Sequence, residues 1–141
     1  MRTSRSLLLA GFSAVTLLAS TVTACGDGKG GTGPNAALYA TWNATSFMAL
    51  GSDFIADGMG LVLTLDAAGT YTIDFTNDMI GACNPGPDCS VSGDFSANAS
   101  RVTIDPGTAD EVVFNYSIVG TSMTFTGNLD GNQVTITFER V

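Results

Sequence analysis

Residues 111–140, EVVFNYSIVGTSMTFTGNLDGNQVTITFER, decide the fold. Large apolar residues sit on every second position: Val112, Phe114, Tyr116 and Ile118, then Met123 and Phe125, then Val134, Ile136 and Phe138. Asn, Ser and Thr fill most of the gaps. A repeat of two belongs to a strand with one face buried, because successive side chains of an extended chain point to opposite sides. The alternation breaks at Val119–Thr121 and at Leu129–Asn132, both carrying glycine. The stretch therefore reads as three antiparallel strands, Glu111–Ile118, Ser122–Thr126 and Gln133–Arg140, joined by tight turns.

The same grammar extends towards the N-terminus. Five more runs read as strands: Leu38–Phe47, Gly60–Leu65, Thr70–Thr76, Val91–Ala97 and Arg101–Asp105. Tyr71, Ile73 and Phe75 share a face, as do Val102 and Ile104, and Leu61, Leu63 and Leu65 join the core. No helical periodicity reaches three turns. Eight short strands with one apolar face each predict an all-β fold, an eight-stranded up-and-down antiparallel barrel. Such a barrel has an interior that side chains just fill, or that holds one small ligand. More than a dozen large inward residues lean towards the filled interior.

Three short motifs carry a family resemblance. Ala40-Thr41-Trp42 stands where lipocalins place a Gly-x-Trp motif in the first strand, with alanine replacing the glycine. Asp66-Ala67-Ala68-Gly69-Thr70-Tyr71 resembles a hairpin that recurs in small lipocalin-like domains of bacterial lipoproteins, and Phe138-Glu139-Arg140 resembles their last strand. The usual second lipocalin motif is missing. The resemblance implies a lipocalin-like barrel open to a small apolar ligand. It also implies a barrel-closing pair, with Arg140, on the inward side of the last strand, packing over Trp42 in a cation–π contact.

The first 24 residues read as an export signal. Arg2 and Arg5 give a positive start, residues 7–18 are almost uninterruptedly apolar or small, and Val22-Thr23-Ala24 leads to Cys25. The apolar stretch falls short of the ~20 residues that span a bilayer. Val22-Thr23-Ala24-Cys25 resembles the lipobox of bacterial lipoproteins. That resemblance implies cleavage before Cys25, acylation of its thiol and amine, and anchoring of the product in the cell envelope outside the cytoplasm. Two or more acyl chains hold a protein stably where one does not. Gly26, at the position that governs inner-membrane retention in that family, points to the outer membrane. Residues 26–36, GDGKGGTGPNA, are too glycine-rich and too polar to fold and read as a tether. The expected organisation is a signal peptide over 1–24, an acylated cysteine and tether over 25–37, and one barrel domain over 38–141.

Charge and composition exclude several functions. After removal of residues 1–24 the basic residues are Lys29, Arg101 and Arg140 against 13 acidic ones, so the net charge is 3 − 13 = −10. No basic patch exists to neutralise phosphates, which argues against nucleic acid as a partner. The membrane is expected to be met through covalent lipid, not through charge. There is no histidine, so Ser-His-Asp and Cys-His catalysis are excluded, and no phosphate-binding or dinucleotide fingerprint is present. The chain reads as a non-enzyme with no cofactor. Cys83 and Cys89 bracket Asn84-Pro85-Gly86-Pro87-Asp88, a turn-forming stretch, and read as a disulfide in an oxidising compartment. A zinc site lacks ligands.

In an up-and-down barrel successive connections alternate between the two ends. Asp66–Gly69, Asn98–Ala99 and Val119–Thr121 fall at the end that holds the termini. The longer connections 48–59, 77–90, 106–110 and 129–132 fall at the other, where binding residues concentrate. Phe47, Met48, Phe54, Ile55 and Met59 are the candidate ligand contacts; the connection that contains most of them, together with Leu50, reads as a plug that completes the core before it reads as a lid. Asp53, Asp57, Asp78, Asp88, Asp110 and Asp130 should ring this end. They lack the D-x-D-x-D spacing of a calcium loop and read as a solvated rim, so no metal is expected. Two functions stay open: a barrel that binds a small apolar molecule, or a structural or protein-interaction module with a filled interior. No pattern names a protein partner.

Overall fold

The computed structural model describes residues 33–141. The expected signal segment, Cys25 and the expected tether up to residue 32 lie outside the described residues. A 3-10 turn, Ala36–Leu38, leads into strands β1 (Thr41–Ala49), β2 (Ser52–Asp53), β3 (Gly60–Leu65), β4 (Thr70–Thr76), β5 (Cys89–Ala97), β6 (Arg101–Ile104), β7 (Val112–Val119), β8 (Ser122–Leu129) and β9 (Asn132–Arg140). Each strand from β3 onward pairs antiparallel with the next, β1 pairs with β3, and β9 returns to β1. The result is the closed eight-stranded barrel that the alternation predicts, with β2 as a two-residue appendage on β1. Closure leaves no long edge strand open to another chain among the described residues.

The seam between β1 and β9 contains a feature that strict alternation misses. Trp42 pairs with Arg140 and Ala44 with Phe138, but Ser46 then pairs with Thr137, so Thr45 is an extra residue. A bulge of one residue reverses which face the side chains occupy. Trp42 and Ala44 point inward before it, and Phe47 and Ala49 point inward after it. Without the bulge, Met48 would have faced the core. It is instead 41% exposed.

The end that holds the termini is sealed. The run expected to begin as a strand at Leu38 turns across the barrel floor instead, and the strand starts at Thr41. Leu38 and Trp42 are fully buried. The Trp42 indole Nε1–H donates to the Leu38 carbonyl at 3.0 Å. The Arg140 guanidinium lies 4.9 Å from the Trp42 ring centroid and donates to the Ala37 carbonyl. Because Arg140 stays exposed to water, the stacking contributes about 0.5–1 kcal/mol rather than the larger value of a desolvated pair. On the far side of the floor, the Tyr116 hydroxyl donates to the Asn98 carbonyl at 2.8 Å and accepts from the Asn35 backbone N–H at 3.0 Å.

Two glycines make room inside the wall. A Cβ on Gly127 would stand 2.7 Å from the Val113 carbonyl oxygen and 2.8 Å from the Phe114 ring, so glycine lets Phe114 lie flat and stack on Phe125, centroids 5.4 Å apart. A Cβ on Gly93 would stand 2.2 Å from Asp105 Oδ1 and 2.9 Å from the Tyr71 ring. Gly93 thereby gives Tyr71 a path along the inner wall.

The buried floor makes a stability prediction. Leu38→Ala should cost about 2–5 kcal/mol, the range for emptying a fully buried leucine site, measured by urea unfolding. A loss below about 0.5 kcal/mol, the usual range for surface changes, would show that the 3-10 turn is not part of the sealed core.

Candidate functional site

The other end is open. The connections 50–59, 77–88, 105–111 and 130–131 gather there, and beneath them lies a cavity of about 490 Å³. This volume is within the ~300–1,000 Å³ typical of small-molecule sites. Its wall comes from all round the barrel: Phe47, Leu61 and Leu63, Ile73 and Phe75, Val91, Ile104, Phe114, Phe125 and Ile136 among others. Ile80, Gly81 and Ala82 from the second long connection border it, with Asp105, Asp110 and Asp130 from the last two. The count of inward residues leaned towards a filled interior; the inward side chains leave this cavity, open at the mouth, between them.

The five candidate contacts scatter. Phe47 lines the main cavity. Phe54 packs edge-on against Phe47, centroids 5.7 Å apart, and lines a smaller neighbouring cavity of about 220 Å³ with Leu50, Met79 and Ile80. Met59 is buried in the core, and Ile55 packs against it half-buried; neither lines either cavity. Met48 points outward, a correction that follows from the Thr45 bulge. The residues that sequence reasoning missed, Ile73, Val91, Ile104 and Phe114, were already visible as inward-facing or apolar strand positions. What alternation could not say is which of them border empty space.

The segment 50–59 adds Met59 to the core, with Phe54 and Ile55 packed against it. The Phe54 N–H donates to the Phe47 carbonyl at 3.0 Å and the Met59 N–H to the Phe54 carbonyl at 2.9 Å. Since β1 and β3 pair only over Thr41–Asn43, the segment supplies the wall where their upper halves diverge and satisfies backbone groups left open there. Asp53 pins it. One carboxylate oxygen accepts from the backbone N–H groups of Phe47 (3.0 Å), Ile55 (3.1 Å) and Ala56 (3.4 Å); the other accepts from the Ser46 hydroxyl at 2.8 Å. The Phe47 N–H, followed by the Ser46 hydroxyl, holds the Asp53 carboxyl below its ordinary value of 3.8, because hydrogen bonds to the ionised form favour it. Asp53 is thus a structural brace as well as a rim acid.

The second long connection is braced in three ways. Cys83 and Cys89 form the disulfide that the turn residues predict, worth about 2 kcal/mol on the loop-entropy account. Asp78 accepts from the Ile80 and Cys83 backbone N–H groups at 2.9 and 2.8 Å, and Asp88 accepts from the Asn77 N–H at 2.7 Å. This bracing holds Ile80–Ala82 over the cavity. Among the described residues no group of three or more acidic or cysteine side chains converges as a metal site, and no helix is long and apolar enough to cross a membrane.

One polar pair sits on the inner wall. The Tyr71 hydroxyl crosses Gly93 and donates to Asp105 Oδ2 at 2.7 Å. Burial, followed by this bond and by the charges of Asp105, Asp110 and Asp94, pushes Tyr71 up to about 12. The raised value means that the pair stabilises the fold fully below the unfolded tyrosine pKa near 10. The contribution is lost as pH rises through about 12. Spectrophotometric titration should therefore show one tyrosine ionising near 12 in the folded protein. Gly93→Ala, which forces Tyr71 off Asp105, should bring that titration down towards 10 and cost about 1–3 kcal/mol of stability, as overpacked interiors do. An unchanged titration in Gly93→Ala would refute the assignment.

Set beside protein-family models, curated proteins and solved structures, the chain matches none of them.

Proposed function

We propose that this chain is a lipid-anchored lipoprotein of the cell envelope whose lipocalin-like barrel holds one small apolar molecule in its mouth. The observation that carries the binding half is the cavity of about 490 Å³ walled by aromatic and aliphatic side chains above a sealed floor. Burying apolar surface there contributes about 25 cal/mol per Å², and a preformed, braced pocket loses little ordering entropy on binding. The anchoring half rests on the sequence: an export signal ending in Val22-Thr23-Ala24-Cys25, followed by a glycine-rich tether. The tether joins the barrel at the sealed floor, where Asn35 and Ala36–Leu38 pack, so an acylated Cys25 would leave the mouth facing away from the attachment point. The reading as a structural module with a packed interior has the cavity against it. The chain has no histidine, so a Ser-His-Asp or Cys-His centre cannot form in it.

Two measurements test the halves separately. The neutral dye N-phenylnaphthylamine should bind saturably at one site per chain with enhanced fluorescence, and Val91→Phe, which places a larger ring in the cavity, should abolish it. A wild-type barrel without saturable binding would defeat the ligand reading. Cells fed radioactive palmitate should label the wild-type chain and not Cys25→Ser; equal labelling of both would defeat the anchor.

A further inference from the structure

We infer that the mouth selects an apolar molecule bearing a positively charged head group and discriminates against carboxylate-headed ones; this rests on the ligand-binding reading above. The apolar wall rewards a hydrocarbon body whatever its head. The head must lie at the rim, where the cavity meets water. The ionisable side chains that line the cavity are Asp105, Asp110 and Asp130, and all carry one sign.

Their placement is held by the fold. Asp105 sits just past β6 with φ +48°, and its Oδ2 is occupied by the Tyr71 hydroxyl while Oδ1 accepts no hydrogen bond among the described residues. The Tyr71 proton stays on oxygen up to about 12, so the phenol adds no second negative charge at neutral pH. Asp130 occupies the first central position of the Asp130-Gly131 turn, both residues having positive φ, the geometry of a tight two-residue hairpin. Asp110 lies exposed on the connection before β7. The three do not converge on a common metal position; they border one opening from two neighbouring connections.

Opposite charges are remote. The described residues contain two cations, Arg101 and Arg140. Arg101 is exposed on the outer face, four residues from Asp105, or about 13 Å along the strand. Arg140 is paired with Trp42 at the floor, six residues from the level of Val134 and so roughly 20 Å below the mouth. Both separations exceed the screening length of about 8 Å at physiological salt. A carboxylate head would enter a negative field with no cationic group beside it among the described residues. An ammonium head would be attracted on approach and meet a free carboxylate oxygen.

The test uses the full chain carrying Cys25→Ser and three probes of equal chain length, decylammonium, decanol and decanoate, each below its micellar concentration, followed by titration calorimetry. Decylammonium should bind tightest, decanol next, and decanoate at least about tenfold more weakly than decylammonium, with the spread narrowing in high salt. Asp110→Asn combined with Asp130→Asn should shrink the ammonium advantage severalfold and leave decanol unchanged; Asn tolerates the left-handed backbone at position 130. Val91→Phe should abolish binding of all three. If decanoate binds as tightly as decylammonium while decanol also binds, the head-group selection is wrong and the apolar site stands. If none of the three binds, both readings fall. If decylammonium binds Val91→Phe as well as wild type, it is adsorbing to the acidic surface and the inference fails.

Discussion

The hydrogen-bonded seam between the first and last strands is the constraint on which the rest of this protein depends. Without it the chain would be an open, strongly twisted sheet with two exposed edges and no inside. With it, every inward side chain faces a common volume, and the only questions left are how that volume is divided and which ends are shut. The single extra residue at Thr45 matters for the same reason. It lets one strand present Trp42 to the floor and Phe47 to the cavity, two inward positions five residues apart that a regular strand would send to opposite faces.

The two ends are built by opposite strategies. At the floor, short connections bring backbone close together, and one indole, one guanidinium and a 3-10 turn close the remaining gap with carbonyl acceptors on Ala37 and Leu38. At the mouth, longer connections are held apart from the barrel axis by their own bracing: Asp53 for the first, Asp78, Asp88 and the disulfide for the second, and the Asp105–Tyr71 bond for the third. Several aspartates that look like a uniform solvated rim are thus occupied in holding backbone N–H groups. Asp110 and Asp130 are not among the braces, and they share with Asp105 the border of the cavity.

Much of this architecture was legible in the residues. The period-two runs from Leu61 to Phe138 located barrel strands β3 to β9 within a few positions, because a half-buried strand has no other way to satisfy water on one side and core on the other. Cys83 and Cys89 were legible as a pair because the intervening Pro and Gly favour a turn. The reading faltered where local pattern and tertiary pairing diverge. Leu38 looked like the start of a strand but became a floor residue, and Met48 looked like a cavity residue but was turned outward by a bulge.

The sequence alone determined that the chain is all-β, that one face of each strand is buried, that histidine-based catalysis is excluded, and that the mouth end is acidic. These follow from residue identity and spacing, which act through local geometry. Only the tertiary structure decided that a cavity of about 490 Å³ opens at the mouth, and that Tyr71 reaches Asp105 across Gly93. Cavities and contacts between non-adjacent strands are properties of how separate strands are tilted and registered against one another. No short stretch of residues carries that information, because it exists only once the sheet has closed.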